Sequence, residues 1–422
     1  MDKIVKIKEG INLHFINTEK YKTNIITVFL TTNLKRENVT KEALIPAILR
    51  LGTNDIPTQK ELNKELENMY GASFNCGIEK RGDNHILKFY LEIIDDKFTI
   101  NKDEILNKSI ELIWNIILNP LTEKNSFHKE YLEREKNNLK NIIQGRIDNK
   151  AKYAYSRCLE EMYKDRKFGI YEYGYVEDLE KIDEHNLYEY YKEFLQTCKI
   201  DVFISGDIKK ENEILDNIKF IIENKYDLKL NSRTPDFALD SKEKSIDKEK
   251  IIEESMNITQ GKLVIGLNID NQTNIAANNV YNAILGGGAN SKLFQNVREK
   301  ASLAYTAGSG YLKSKNIIVI RCGIEIKNYN KALEIIKQQL EDMKMENFSE
   351  KDILDAKELI IGELQSIKDE QISQISYELS KELSKEKTEI DKYINETKNV
   401  SKEDIVNVAK GVSINTIYFL RS

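Results

Sequence analysis

Apolar positions along the chain fall into strand-like and helix-like runs that alternate in blocks. Residues 25–30 and 86–94 are short, dense apolar stretches of strand length. Between them, residues 41–51 and a second stretch ending at Tyr70 carry the wider apolar spacing of helices. The first closes on Leu51-Gly52-Thr53 and the second on Gly71-Ala72-Ser73. Residues 103–118 then set Leu106, Ile110, Ile113 and Ile117 on one helical face. Phe127 opens a long charged helix, and a helix over 186–194 followed by a strand over 200–205 ends the first half.

The second half replays this order. Residues 263–267 form the strand, a helix-like stretch ends at Leu285-Gly286-Gly287-Gly288, and a second ends at Tyr305, before the small residues Ala307 and Gly308. A strand over 317–320, a helix over 331–345, a long charged helix after Phe348, a helix over 403–410 and a strand over 414–420 complete it. The steps from Gly52 to Gly287 and from Tyr70 to Tyr305 are both 235 residues, the mark of a duplication. Strands come in groups and helices in groups, so the class is α+β rather than a doubly wound sheet. The pattern predicts domains over 1–230 and 251–422. Between them, 231–250 reads as a linker, rich in Lys, Asp and Ser and carrying Pro235.

Composition narrows the function. A chain of 422 residues with 40% hydrophobic content suits two or three globular domains. Its 64 basic and 69 acidic residues are interleaved along helices, so the net charge of -5 offers no field for nucleic acid. Residues 1–10 have no apolar signal core, and no run approaches the roughly 18 apolar residues of a membrane span. A cytoplasmic protein without nucleic-acid or membrane partners is expected. Cys76, Cys158, Cys198 and Cys322 form no C-x-x-C pair and read as reduced, mostly buried thiols. The histidines are His14, His85, His128 and His185, and none stands within a helical turn of another. His14 and His85 lie in strand-like runs and read as packed. His128 and His185 lie near helix starts and read as exposed.

The run Gly286-Gly287-Gly288-Ala289-Asn290-Ser291-Lys292-Leu293-Phe294, continuing through Arg298-Glu299-Lys300 to Tyr305, resembles the carboxy-terminal signature of the M16 peptidases. These are the insulinase and mitochondrial processing peptidase family. The resemblance implies two homologous M16-type domains, each an antiparallel-rich sheet packed with helices, set clam-like around a central cavity. Active members carry H-x-x-E-H in the first helix of the first copy. Its histidines bind zinc and its glutamate serves as general base. Counted back from Gly52-Thr53, the equivalent positions here are Ala43, Pro46 and Ala47. A methyl group offers a metal no lone pair, and proline accepts no proton through its side chain. Pro46 also costs a helix interior about 3 kcal/mol and is expected to kink it. The third ligand of the family, a glutamate, falls near Asn141 or Ile142. No metal and no cofactor is expected, and the chain reads as a non-peptidase homologue, inactive by itself.

In active members an arginine and a tyrosine of the second domain hold the substrate main chain and stabilise the tetrahedral intermediate. Arg298 and Tyr305 match that pair at its spacing of seven residues. The resemblance therefore implies a subunit that binds peptide and completes the site of a zinc-containing M16 paralogue in a heterodimer. A salt bridge and a packed ring are the plain alternative for the two residues. Gly286, Gly287 and Gly288 match a loop that handles substrate in processing-peptidase relatives. Without that role, they mark a turn needing positive φ or close backbone approach. The tyrosines at 153–155, 171–175 and 188–191 read as core or interface. Residues 43–53, 67–74, 81–83, 153–162 and 171–178 are also similar to the M16 homologues of Firmicutes associated with elongation factor P modification, which lack the zinc motif. An independent peptide-binding scaffold, a metallopeptidase with an unrecognised site, and a homodimer are the competing readings.

Overall fold

A computed structural model describes residues 3–101, 103–228, 230, 237, 249–270, 274–384 and 387–422. The first half runs through β1 (Lys3–Lys8), β2 (Ile11–Asn17), β3 (Thr23–Asn33), α1 (Val39–Leu49), α2 (Gln59–Asn68), β4 (Ser73–Arg81), β5 (Asn84–Ile94) and α3 (Ile105–Leu118). A minimal hairpin of β6 (Thr122–Glu123) and β7 (Ser126–Phe127) follows. Then come α4 (Lys129–Gly145), α5 (Lys150–Met162), α6 (Val176–Leu179), α7 (Glu184–Thr197), β8 (Lys199–Gly206) and α8 (Glu211–Phe220). The second half runs through β9 (Lys250–Ser255), β10 (Gly261–Ile269), α9 (Ile275–Asn282), β11 (Ala304–Leu312), β12 (Ile317–Ile324) and α10 (Tyr329–Lys344). It ends with α11 (Glu350–Ile367), α12 (Gln371–Leu383), α13 (Ile390–Asn399), α14 (Lys402–Gly411) and β13 (Val412–Arg421). Most of residues 231–250, read as a linker, lies outside the described residues.

The duplication is visible in strand order. One sheet runs β1-β2-β8-β3-β5-β4 and the other β11-β12-β10-β13-β9. Reversed, the second matches the first strand for strand, apart from the extra β1. Each sheet is antiparallel except for one parallel pair at the same place, β2 with β8 and β9 with β13. Period-2 alternation puts Leu13, Val28, Phe89 and Val202 on one face of the first sheet, where they join apolar residues of α1, α3 and α7 in a single core. Leu263, Ile265, Ile320 and Ile417 do the same for the second sheet with α9, α10 and α14.

The opposite sheet faces are covered by exchanged helices. The chain forms two compact units. The first comprises Met1–Gly145, Ile170–Leu239 and Gln371–Ser380; the second comprises Arg146–Gly169, Asp240–Glu370 and Lys381–Ser422. In the second unit, Ala154, Cys158 and Met162 of α5, with Tyr163 and Phe168, pack on Val264, Val319, Tyr418 and Leu420. The contact is close: a Cβ on Gly266 would stand 2.6 Å from the Met162 sulfur. In the first unit the start of α12 does the equivalent. Gln371 Nε2 donates to Thr23 O and Ser205 O, both at 3.2 Å, and Ile375 and Leu379 are fully buried. Each sheet is thus closed by a helix that the chain supplies from its other half.

Candidate functional site

α1 is buried on nearly every side, which is why its sequence shows almost no polar face. Ala43 and Pro46 are buried and Ala47 is half-buried. Pro46 removes one intrahelical hydrogen bond, yet α1 runs through it to Leu49. The helix continues past the proline with most of its residues buried. The Pro46 carbonyl accepts from Arg50 N at 3.2 Å and from the Cys76 thiol on β4, also at 3.2 Å. Asn141 and Ile142 lie exposed on α4, which packs against α1. Among the described residues no group of three His, Cys, Asp or Glu side chains could hold a metal ion. The residues at these positions do not fit zinc.

What the helix does hold is a buried polar cluster that sequence reading missed. Glu42, one residue before Ala43, has its carboxylate 2.6 Å from His85 Nδ1 on β5 and accepts from the Tyr190 hydroxyl on α7 at 2.5 Å. Both Glu42 and His85 are sealed from solvent, and His85 Nε2 has no hydrogen-bond partner among the described residues. Burial first, and then Glu42, push the Tyr190 phenol well above its ordinary range. A signal was available: His85 shares the inward strand parity of Leu87, Phe89 and Leu91. His14 is also packed, 3.0 Å from Asp201 and stacked on Phe203. His185 is exposed as expected, whereas His128 is half-buried, its ring tilted over Tyr131.

In the second unit, Arg298 lies exposed on a π-helical turn, Phe294–Lys300. Its guanidinium sits 4.5 Å over the Phe294 ring and 3.4 Å from the Glu299 carboxylate. Tyr305 does not end a helix, as the repeat suggested. The helical turn stops at Lys300, Ser302 takes a positive φ of 51°, and Tyr305 is the second residue of β11. The β11–β12 register skips between Ala304 and Thr306, so Tyr305 is the extra residue of a β-bulge. The bulge turns its ring outward, leaving it 63% exposed beside Gln260, Glu325 and Lys327. It is not a packed ring.

The three glycines end the helix that continues α9. None has a positive φ; Gly286 and Gly288 both sit at −157°. Close approach governs Gly286, where a Cβ would stand 2.5 Å from Ser309 N and Oγ. Gly288, Asn290 and the buried Ser291 border a cavity of about 340 Å³, with Asp352, Asp355 and Glu358 of α11 opposite. Cys158, Cys198 and Cys322 are buried and Cys76 is half-buried.

Comparison with known proteins places this arrangement. Residues 181–360 match the family model described as the peptidase M16 inactive domain. Across 416 residues, 98% of this chain and 96% of the other, the sequence is 31% identical to the probable inactive metalloprotease YmfF of Bacillus subtilis (strain 168). The chain belongs to the M16 peptidase family. A second relative, the uncharacterized zinc protease YmxG of the same organism, is 30% identical over 135 residues, covering 31% of this chain and 33% of that one. A crystal structure of a conserved protein from Enterococcus faecalis V583 superposes with a TM-score of 0.88 at 28% identity, covering 100% of this chain and 98% of that one. The fold is also that of an M16 inactive-domain protein from Pseudomonas fluorescens, at a TM-score of 0.78 and 16% identity, with coverage of 100% and 98%. This M16 chain is an inactive peptidase homologue. Among its described residues no helix is long and apolar enough to cross a membrane.

Proposed function

We propose that this chain is a non-catalytic M16 subunit that binds peptide and completes the active site of a zinc-containing M16 partner. The observation that supports the reading is the exposure of Tyr305 on its bulge, with Arg298 exposed in the same unit, in a chain whose own motif positions offer no metal ligand. A bulge that re-aims a side chain is a feature of functional margins of sheets. Arg298 supplies rigid, permanently charged donors to a peptide carbonyl or its developing oxyanion, and Tyr305 can donate one further hydrogen bond. The partner's zinc would activate the attacking water. The partner is then a zinc-motif M16 paralogue, joined with this chain in a cytoplasmic heterodimer. The glycine-rich loop at Gly286–Gly288 is a secondary peptide contact in the same reading.

The test is to assay the purified chain for zinc and peptidase activity, alone and mixed with a zinc-motif M16 protein from the same organism. Activity that appears on mixing supports the reading; stoichiometric zinc and activity in the isolated chain overturn it. Arg298→Ala and Tyr305→Phe in the mixture should each cut turnover about 10²-fold, the usual loss for one oxyanion donor, without weakening association. By its resemblance to the elongation factor P-associated homologues, we place the pair in maturation of that modification. Deleting the gene should then change the intact mass of elongation factor P, and an unchanged mass removes the pathway assignment.

A further inference from the structure

β4 closes one end of the six-stranded sheet, and among the described residues no strand pairs with its outer edge. An unpaired edge presents backbone donors and acceptors that an extended chain can join as an added strand. On the sheet face beside this edge, Gly77 lies directly opposite Lys88 across the β4–β5 pair. A Cβ on Gly77 would meet nothing within 4 Å, so the glycine leaves a gap. That gap belongs to a depression of about 300 Å³ whose border includes Asn75, Cys76, Glu79, Lys88, Tyr90 and Ile372.

Lys88 is the cation that borders this depression, and the Glu79 carboxylate beside it is paired with Arg81. Lys88 is half-buried, its ammonium lies 5.4 Å from the Tyr90 ring centroid, and among the described residues it has no hydrogen-bond or ion-pair partner. The neighbouring groups are committed elsewhere. Glu79 pairs with Arg81 at 2.8 Å, and Arg81 also donates to Ser376 O and Ser380 Oγ of α12. The Tyr90 hydroxyl donates to Glu92 at 2.8 Å. Burial lowers the Lys88 pKa, against the pull of Glu79, so the ammonium is held in a place that costs it solvation. An anion seated there recovers that cost.

We propose that this depression is a carboxylate subsite, in which Lys88 seats an acidic side chain or the terminal carboxylate of a peptide added along β4, with Gly77 making the room. The proposal rests on the peptide-binding reading above and names the kind of peptide. The probes are three labelled, strand-forming Thr/Val peptides. One has a central glutamate and an amidated end, one a central glutamine and an amidated end, and one a central glutamine and a free carboxylate end. Fluorescence anisotropy with the full chain should show one or both carboxylate peptides binding about tenfold tighter than the neutral one, a charge-assisted hydrogen bond's worth. The arm that gains identifies the source of the carboxylate.

Lys88→Met should abolish the preference while leaving the neutral peptide's affinity unchanged. Lys88→Glu should invert it, so that the neutral peptide binds tighter than either carboxylate peptide. Gly77→Val, whose Cβ has open space, should fold normally and lose the preference by filling the gap. Equal binding of neutral and charged peptides, or a preference that survives Lys88→Met, overturns the subsite and spares the peptide-binding reading. Failure of every peptide to bind overturns both.

Discussion

Glu42 is the acidic residue of α1, and its carboxylate has been turned inward to His85 and Tyr190. Removing one member of such a cluster strands the others without solvent. Glu42→Ala should therefore cost about 3–5 kcal/mol in urea unfolding, while Glu42→Gln, which still accepts from Tyr190, should cost clearly less. The buried thiols make a second prediction. Burial pushes Cys158 and Cys322 up to about 12 from an ordinary 9.0. Their folded pKa is raised, so the stability they contribute is intact below pH 9 and is lost as pH rises from 9 toward 12. Urea midpoints should hold level up to about pH 8.5 and fall beyond it. The cysteines were legible as buried from their lack of pairing motifs. Of the Glu42 cluster, the inward place of His85 was legible from strand parity, but its pairing was not, because a lone carboxylate in an apolar run does not disclose a histidine forty-three positions away.

At the scale of elements, Gly286 shows where a turn is fixed by contact rather than by backbone angle. Its φ of −157° is open to any residue, but a Cβ would press 2.5 Å from Ser309 N. Gly286→Ala should force the helix end away from β11 and cost about 1–3 kcal/mol, whereas Gly287→Ala, whose nearest neighbour is the Ala283 methyl at 3.3 Å, should cost less. Thermal melts of the two variants check this. The apolar periods in the sequence located the strands and long helices well, since β3, β5, α3 and α11 follow their runs closely. They failed at 301–305, where small residues carry no strand signal and the positive φ at Ser302 ends the helical turn early. The bulge at Tyr305 was equally hidden, since a period-2 pattern does not mark an inserted residue.

For the whole molecule, the decisive feature is that α5 and the start of α12 each belong to the unit opposite their place in the chain. Amphipathic spacing announces that a helix face is buried and says nothing about which sheet it covers, so the exchange was not legible. Fragments 1–230 and 251–422 should each fold poorly when expressed alone and bind a hydrophobic dye, because each sheet then lacks its covering helix. Mixed or co-expressed, they should recover a stable complex by size-exclusion chromatography. Two independently soluble, dye-negative fragments would contradict the exchange.

That exchange also sets a timetable for the chain's birth. The first sheet is complete once β8 has emerged from the ribosome, but its covering segment, Gln371–Ser380, comes near the very end of 422 residues. At about 5–20 residues per second, the nascent chain carries that sheet uncovered for roughly 10 s or more. For that interval the face awaiting its native helix is open to solvent, so the yield of this protein in a cell is expected to rise with the chaperones that meet it during translation.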